Sequence, residues 1–291
     1  MKIAVIGATG MLGKPVAWQL IYAGFDVTVV ARNTEAASVI FNNDQNEFKA
    51  SVVHGDVFDK TSLREALQGM DGLYINLSAD QKSNKQQPQP EREGIQNILS
   101  VAKKVGIKHI IYISAIVIRY QGMKGFNWWV FDIKHAAVNA IKSSGIPYTI
   151  FYPSCFMDTF SELIDKNKLM HATGSKQRNY FISSLDYGKM VVEAFKQQKL
   201  NKEYDVQGPE GMNWDEAAKI VVQNYPKGML RMMKAPLFMM KFFGKFNQRM
   251  NYAGNILEAI YNYPESFTSE AAWQELHKPG IKMKDFVQHY L

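Results

Sequence analysis

Gly7-Ala8-Thr9-Gly10-Met11-Leu12-Gly13 sets three glycines at a spacing that suits one kind of chemistry. Glycines permit a tight turn and let backbone come close to a diphosphate. The apolar run Lys2–Ile6 leads into the turn, and a helical pattern leads out of it. A helix beginning there offers unpaired N–H groups and the positive end of its dipole to an anion. An ordinary strand-to-helix turn would use the same residues without a ligand. The repeated β-α pattern around it favours a dinucleotide, held by Gly7, Thr9, Gly10, Met11, Leu12 and Gly13.

The end of the next strand bears on which dinucleotide. NAD binders place an acid about 20 residues on, against the ribose 2′-OH. Here the strand ends Val29-Val30-Ala31-Arg32-Asn33, with no acid. Arg32 offers a fork suited to a 2′-phosphate, and Lys14 could add a second charge. Both could equally be solvated surface cations. The expectation is NADP, with NAD as the alternative.

These residues need a scaffold to hold them. Short apolar runs at Lys2–Ile6, Asp26–Ala31, Ser51–His54, Gly72–Ser78, Ile110–Ser114 and Tyr148–Tyr152 read as strands. Helical patterns fall between them at Gly13–Tyr22, at Thr61–Gln68 with Thr61 as N-cap, at Glu91–Val105 and at Phe131–Ser144. Gly106 and Gly145 close the last two. The alternation predicts an α/β fold, a Rossmann-type doubly wound parallel sheet with a smaller C-terminal α+β substrate domain. Residues 1–153 form the first unit, joined by 181–200. The second takes 154–180 and 201–291, with helices at Trp214–Gln223 and Ala253–Tyr261 and a strand near Tyr204–Gln207. Ala79–Pro90, rich in Gln, Asn, Lys and Pro, reads as a mobile loop, and Arg119–Trp129 as an irregular one.

Composition narrows the field. The formal net charge is +7 over 291 residues. Lys and Arg are spread along the chain without a long basic run, which speaks against nucleic acid as the partner. Cys155 is the single cysteine, so no intrachain disulfide exists. A lone Cys after a buried strand reads as packing rather than a nucleophile or redox sensor. The six histidines show no metal-ligand spacing, so no metal is expected. No stretch of about 18 apolar residues would span a membrane. The chain opens directly into a strand without a signal-peptide pattern, and the expected location is cytoplasmic.

Taken together, the glycine turn, Arg32, Gly55-Asp56-Val57, Tyr112-Ile113-Ser114-Ala115 and Gly145-Ile-Pro-Tyr-Thr-Ile-Phe-Tyr-Pro153 resemble the atypical short-chain dehydrogenase/reductases. The NmrA-like and isoflavone-reductase-like branch is most similar. The resemblance is firm over the first half and weaker through Ser184-Leu185-Asp186 and Tyr204–Glu210. It implies that Asp56 bonds the adenine amino group with Val57 packing beside it. It places Asn76, Leu77 and Ser78 along the ribose, Ser114 at the nicotinamide end and Pro153 to Phe156 along the nicotinamide face. Lys134 takes the position of the family's lysine, which binds nicotinamide ribose or assists proton transfer. The chain departs from the Tyr-x-x-x-Lys pattern: Val130 stands four positions before Lys134. Carbonyl reduction needs a proton as well as a hydride. Tyr120, in the loop after Ser114, is the candidate donor, although a loop Tyr commonly just packs. Lys134, Ser114 and Tyr120 are therefore the candidate catalytic residues.

Met229–Phe246, apolar, Met-rich and punctuated by cations, matches nothing in the resemblance. It reads as a core-covering helix pair broken at Pro236, as a flexible lid over an apolar ligand, or as a membrane-surface segment. Three functional readings follow. The first is an NADPH-dependent reductase of a small apolar or aromatic carbonyl, enone or quinone. The second is a non-catalytic NADP(H)-sensing regulator or assembly protein, favoured by the absent Tyr. The third, a nucleotide-sugar epimerase or dehydratase, is disfavoured by that same absence. Oligomeric state is left open.

Overall fold

The computed structural model describes residues 1–43 and 48–291. In chain order its strands are β1 (Lys2–Ile6), β2 (Asp26–Ala31), β3 (Ser51–His54), β4 (Gly72–Ile75), β5 (His109–Ile113) and β6 (Tyr148–Pro153). Then come β7 (Ile164–Asp165), β8 (Lys168–Thr173), β9 (Asn179–Phe181), β10 (Lys202–Val206), β11 (Glu210–Met212) and β12 (Arg231–Pro236). The helices are α1 (Gly13–Tyr22), α2 (Thr34–Phe41), α3 (Lys60–Leu67), α4 (Ile95–Val105), α5 (Trp129–Ser143) and α6 (Thr159–Leu163). They continue with α7 (Ser184–Lys196), α8 (Trp214–Asn224), α9 (Leu237–Gly244), α10 (Gln248–Asn262), α11 (Glu270–Glu275) and α12 (Met283–Tyr290).

Seven strands join in one sheet of order β3-β2-β1-β4-β5-β6-β10, and every pair is parallel. β4 and β5 are buried along their whole length, as a sheet covered on both faces requires. One cluster packs α3, α4 and α5 against the sheet, with Leu63, Ile98 and Val138. The opposite cluster packs α1, α2 and α7, with Leu20, Phe41 and Val191. The doubly wound prediction therefore holds. Strand order reverses between β1 and β4, whose residues Ile3 and Gly72 are partners. In such sheets ligands settle outside the carboxyl ends at that reversal.

Several boundaries differ from the expectation, each for a local reason. Thr61 is not the N-cap of α3; the Asp59 carboxylate accepts from Thr61 N at 2.9 Å and Ser62 N at 3.3 Å, so the helix starts at Lys60. α2 was not foreseen, yet Asn33 Oδ1 accepts from Ala36 N at 2.9 Å and caps it. α5 begins at Trp129, two residues early. β4 stops at Ile75, because residues 76–78 leave the sheet toward the glycine turn. The strand expected near Tyr204–Gln207 forms over Lys202–Val206 and lies at the edge of the large sheet as β10. The loop 79–90 is pinned from within. Gln89, fully buried, accepts from Asp80 N at 3.0 Å and donates to Asn84 O at 3.1 Å. Arg92 donates to Lys85 O and Gln87 O at 2.8 and 3.0 Å.

A third cluster includes Phe160, Phe181, Trp214 and Phe286. β7, β8 and β12 make a small sheet there, and β9 pairs with β11. The expectation of two helices broken at Pro236 is corrected: Arg231–Pro236 is a strand, parallel to β8, and only Leu237–Gly244 is helical. No helix of the described residues is long and apolar enough to cross a membrane.

Candidate functional site

The glycine turn sits at the reversal point, and two of its glycines have no room for a side chain. Gly7 has φ +82°, and a Cβ on it would lie 1.9 Å from the carbonyl oxygen of Asn76. A Cβ on Gly13 would lie 2.0 Å from Gly7 O and 2.9 Å from Asn76 Nδ2. Asn76 thus braces the turn from the end of β4, and its own N–H donates to Ile6 O at 3.0 Å. Gly10 differs. Its Cβ would meet only Gly7 O, at 3.5 Å, an ordinary contact. Nothing inside the fold demands a glycine there, so the open approach to its backbone is what the residue preserves.

α1 starts with Leu12 at its N-cap, a side chain that cannot accept a hydrogen bond, and no acid stands in its first turn. α2, α3, α7, α8 and α10 all carry side-chain caps. Lys14 N donates to Gly10 O at 3.0 Å and Val16 N to Leu12 O at 3.4 Å, and Pro15 has no N–H, so of the leading groups of α1 that of Gly13 is left without a backbone partner among the described residues. Thr9, Gly10 and Met11 are exposed around it.

A cavity of 290 Å³ opens beside the turn, between the ends of β1, β2 and β3. Val30, Ile40, Val57 and Leu77 make it apolar, Phe58 adds a half-exposed ring, and Arg32 stands at its mouth. Arg32 is exposed and makes no ion pair or side-chain hydrogen bond with any described residue. Lys14 is exposed on α1 and does not line the cavity. Asp56 spends one carboxylate oxygen on Phe58 N at 2.9 Å, and Ser62 Oγ accepts from Asp56 N at 3.0 Å. Ser78 lies beyond, in a neighbouring recess that Arg32 shares with Lys82 and Arg249.

A second group of polar side chains lies on the α3–α5 side of the sheet. Residues Pro90–Gly94 make one turn of π-helix ahead of α4, and it carries Glu91 into the protein. The Glu91 side chain is wholly buried. Its Oε1 accepts from Lys134 Nζ at 2.6 Å and from Tyr112 OH at 2.8 Å. Its Oε2 has no hydrogen-bond partner among the described residues. Burial, then the Glu91 charge, holds the Tyr112 phenol well above its ordinary range. Tyr252, on α10, packs 5.0 Å from Trp128 against the cluster that holds Tyr112, and its phenol is pushed up by burial and then by the Glu91 charge. Two positions beyond Tyr112, just past the end of β5, Ser114 is buried and its Oγ also has no partner among the described residues. Such groups are expensive to bury unpaired, so they mark a place where polar chemistry is kept dry.

The expected catalytic residues do not all meet here. Lys134 joins Glu91, and Val130, in the tyrosine position four residues earlier, is buried in the core. Tyr120 is buried too, packed 5.0 Å from Phe126, and its phenol is raised by burial and then by Glu258. Its hydroxyl makes no hydrogen bond among the described residues. His135 turns away from Lys134 and meets Ile118 O at 3.1 Å. Pro153 ends β6 opposite Val206. Burial pushes the Cys155 thiol up, which makes it a poor nucleophile. No cluster of the described residues would hold a metal ion. Sequence reading missed Phe58, Glu91 and Tyr252. Only Phe58, two residues after Asp56, had a local signal.

A doubly wound parallel sheet with a glycine turn at its reversal point defines a Rossmann-type protein. The NmrA-like family matches residues 1–257, and the chain belongs to that family. It is 22% identical over 266 residues to the photosystem II assembly factor Ycf39 of Synechocystis sp., covering 89% of this chain and 78% of that protein. Its fold is similar to that of the Citrobacter sp. triphenylmethane reductase complexed with NADP(H), with TM-score 0.75, 21% identity and full coverage of both chains. It is also similar to that of the NADPH-dependent quinone oxidoreductase QOR2 of Escherichia coli complexed with NADPH, with TM-score 0.74, 17% identity and 99% of each chain covered.

Proposed function

We propose that this chain is a cytoplasmic NADPH-dependent reductase of a small, largely apolar carbonyl, enone or quinone. The observation that carries the reading is the buried Tyr112–Glu91–Lys134 chain beside Ser114, on the same molecule as an open glycine turn. The residues present suit the cofactor. The backbone around Gly10 is open to a diphosphate, the apolar cavity beside Phe58 would take the adenine, and unpaired Arg32 would take a 2′-phosphate. When bound, the cofactor supplies the hydride. Glu91 holds the Lys134 ammonium in one place, where it can stabilise the developing oxyanion and pass it a proton from Nζ. Water then restores that proton. Trp128 packs against Phe131 at 5.1 Å and Tyr252 at 5.0 Å, apolar surroundings that favour an apolar substrate.

A second reading has its own support. Val130 replaces the tyrosine, and the Lys134 charge is already matched by Glu91. Both suit a protein that binds NADP(H) without turnover, the role in which a relative named as an assembly factor would fit. The test is NADPH oxidation, followed by absorbance, against a panel of quinones, enones and aldehydes. Turnover that falls in Lys134→Ala supports the reductase. Tight NADPH binding with no turnover of any compound supports the second reading instead.

A further inference from the structure

The basic residues are spread along the chain, but the acidic ones are not. Residues 217–257 hold Lys219, Lys227, Arg231, Lys234, Lys241, Lys245 and Arg249 and no Asp or Glu. Removing these seven from the 34 cations leaves 27, the same number as the acids. The whole net charge of +7 therefore resides in one stretch of 41 residues.

The same stretch exposes its apolar side chains. α9 is apolar on both faces, and only one is covered. Leu237 and Met240 turn inward to the third cluster, and Gly244 lies against the backbone of α10 at Asn251. Phe238, Met239, Phe242 and Phe243 point outward, and Phe246 follows them; Phe238 is 71% exposed and Phe246 82%. Phe242 packs edge-on against Phe243 and Phe246 at 5.4 and 6.2 Å, so the rings form one platform. Of the described phenylalanines exposed to this degree, Phe48 and Phe58 alone lie elsewhere. Lys241 pairs with Glu258, whereas Arg231, Lys234, Lys245 and Arg249 have no ion pair with any described residue.

We propose that α9 and its flanks seat this protein on a bilayer surface carrying anionic headgroups. Rings at the tip would enter the headgroup boundary while the surrounding cations meet lipid phosphates and carboxylates. An eight-residue helix cannot cross a bilayer, so the contact is in-plane. Charge selects this occupant over a second copy of the chain, because two such faces would bring together Arg231, Lys234, Lys245 and Arg249 of each copy, eight cations that have no ion pair within the described residues of either. The proposal is independent of any reaction at Lys134.

Co-sedimentation of the full chain with lipid vesicles tests it. Binding is expected with vesicles containing phosphatidylglycerol, about tenfold weaker with pure phosphatidylcholine, and weakened by salt. The triple variant Phe238→Ser, Phe242→Ser, Phe246→Ser should lose vesicle binding about tenfold or more while its thermal unfolding and NADPH affinity stay unchanged. Lys234→Gln with Lys245→Gln should remove most of the preference for anionic lipid. Failure to sediment with the anionic vesicles overturns the proposal. So does binding that survives loss of the three rings, or a ring-dependent dimer in ultracentrifugation without vesicle binding.

Discussion

Lys134 Nζ lies 2.6 Å from an oxygen of Glu91, a residue 43 positions earlier whose side chain is wholly buried. Pairs of this kind are held by mutual dependence: each charge is tolerated only because the other is present. Glu91→Leu and Lys134→Met should each lower stability by about 3 kcal/mol or more. The double variant Glu91→Leu, Lys134→Met should recover most of that loss. Urea unfolding of all three measures the coupling, and strictly additive losses would show that the pair is not a unit.

The glycine turn separates folding from binding. Gly13→Ala puts a methyl carbon 2.0 Å from the Gly7 carbonyl and should destabilise the fold. Gly10→Ala meets nothing closer than 3.5 Å, so its midpoint of unfolding should stay near that of the parent. It should nonetheless weaken NADPH binding by about tenfold or more, since the added carbon stands where the diphosphate approaches. Calorimetric titration beside a thermal melt distinguishes the two. Unchanged NADPH affinity in Gly10→Ala would place the dinucleotide elsewhere.

Legibility in the sequence followed the range of the interactions. The six strands of the first half and the glycine turn were readable because each rests on residues within one β-α unit. α2 was missed although its cap, Asn33, adjoins the residue most closely considered. Glu91 was not readable as a partner of Lys134, because the contact depends on how α4 and α5 lie against the sheet. Tyr252 adjoins the helix expected at Ala253–Tyr261, but its place beside Trp128 depends on how that helix packs. The loop 79–90 reads as mobile by composition, but one buried amide, Gln89, organises it. The even scatter of cations concealed their net excess, since charge balance depends on the acids as well.

Arg32→Ala tests the cofactor preference. Loss of a charge-assisted contact should weaken NADPH by about 1.5–3 kcal/mol and leave NADH nearly unchanged. Competition of the two nucleotides against the parent and the variant reads the difference directly. An equal effect on both would remove the 2′-phosphate from the reading.

His109 should give the fold an acid-sensitive limb. Burial holds its imidazole down at about 4, and its Nε2 meets Thr149 Oγ1 at 2.8 Å. The unfolded chain binds a proton near 6.5 and the folded one does not until about pH 4. Stability from this residue is therefore complete above pH 6.5 and is lost as pH falls toward 4, about 3 kcal/mol in all. Denaturant midpoints measured between pH 4 and 7 should fall less steeply in His109→Gln than in the parent.

The π-helical turn at Pro90–Gly94 holds one residue more than an α-helical turn would. Deleting a single residue there would regularise the helix and rotate what precedes it by about 100°. The carboxylate would swing out of reach of its ammonium partner while α4 kept its packing. An insertion or deletion of one residue, with no substitution at all, would then be enough to switch the charge environment of the lysine. Chain length at this turn is thus a control on reactivity that a comparison of residue types alone would overlook.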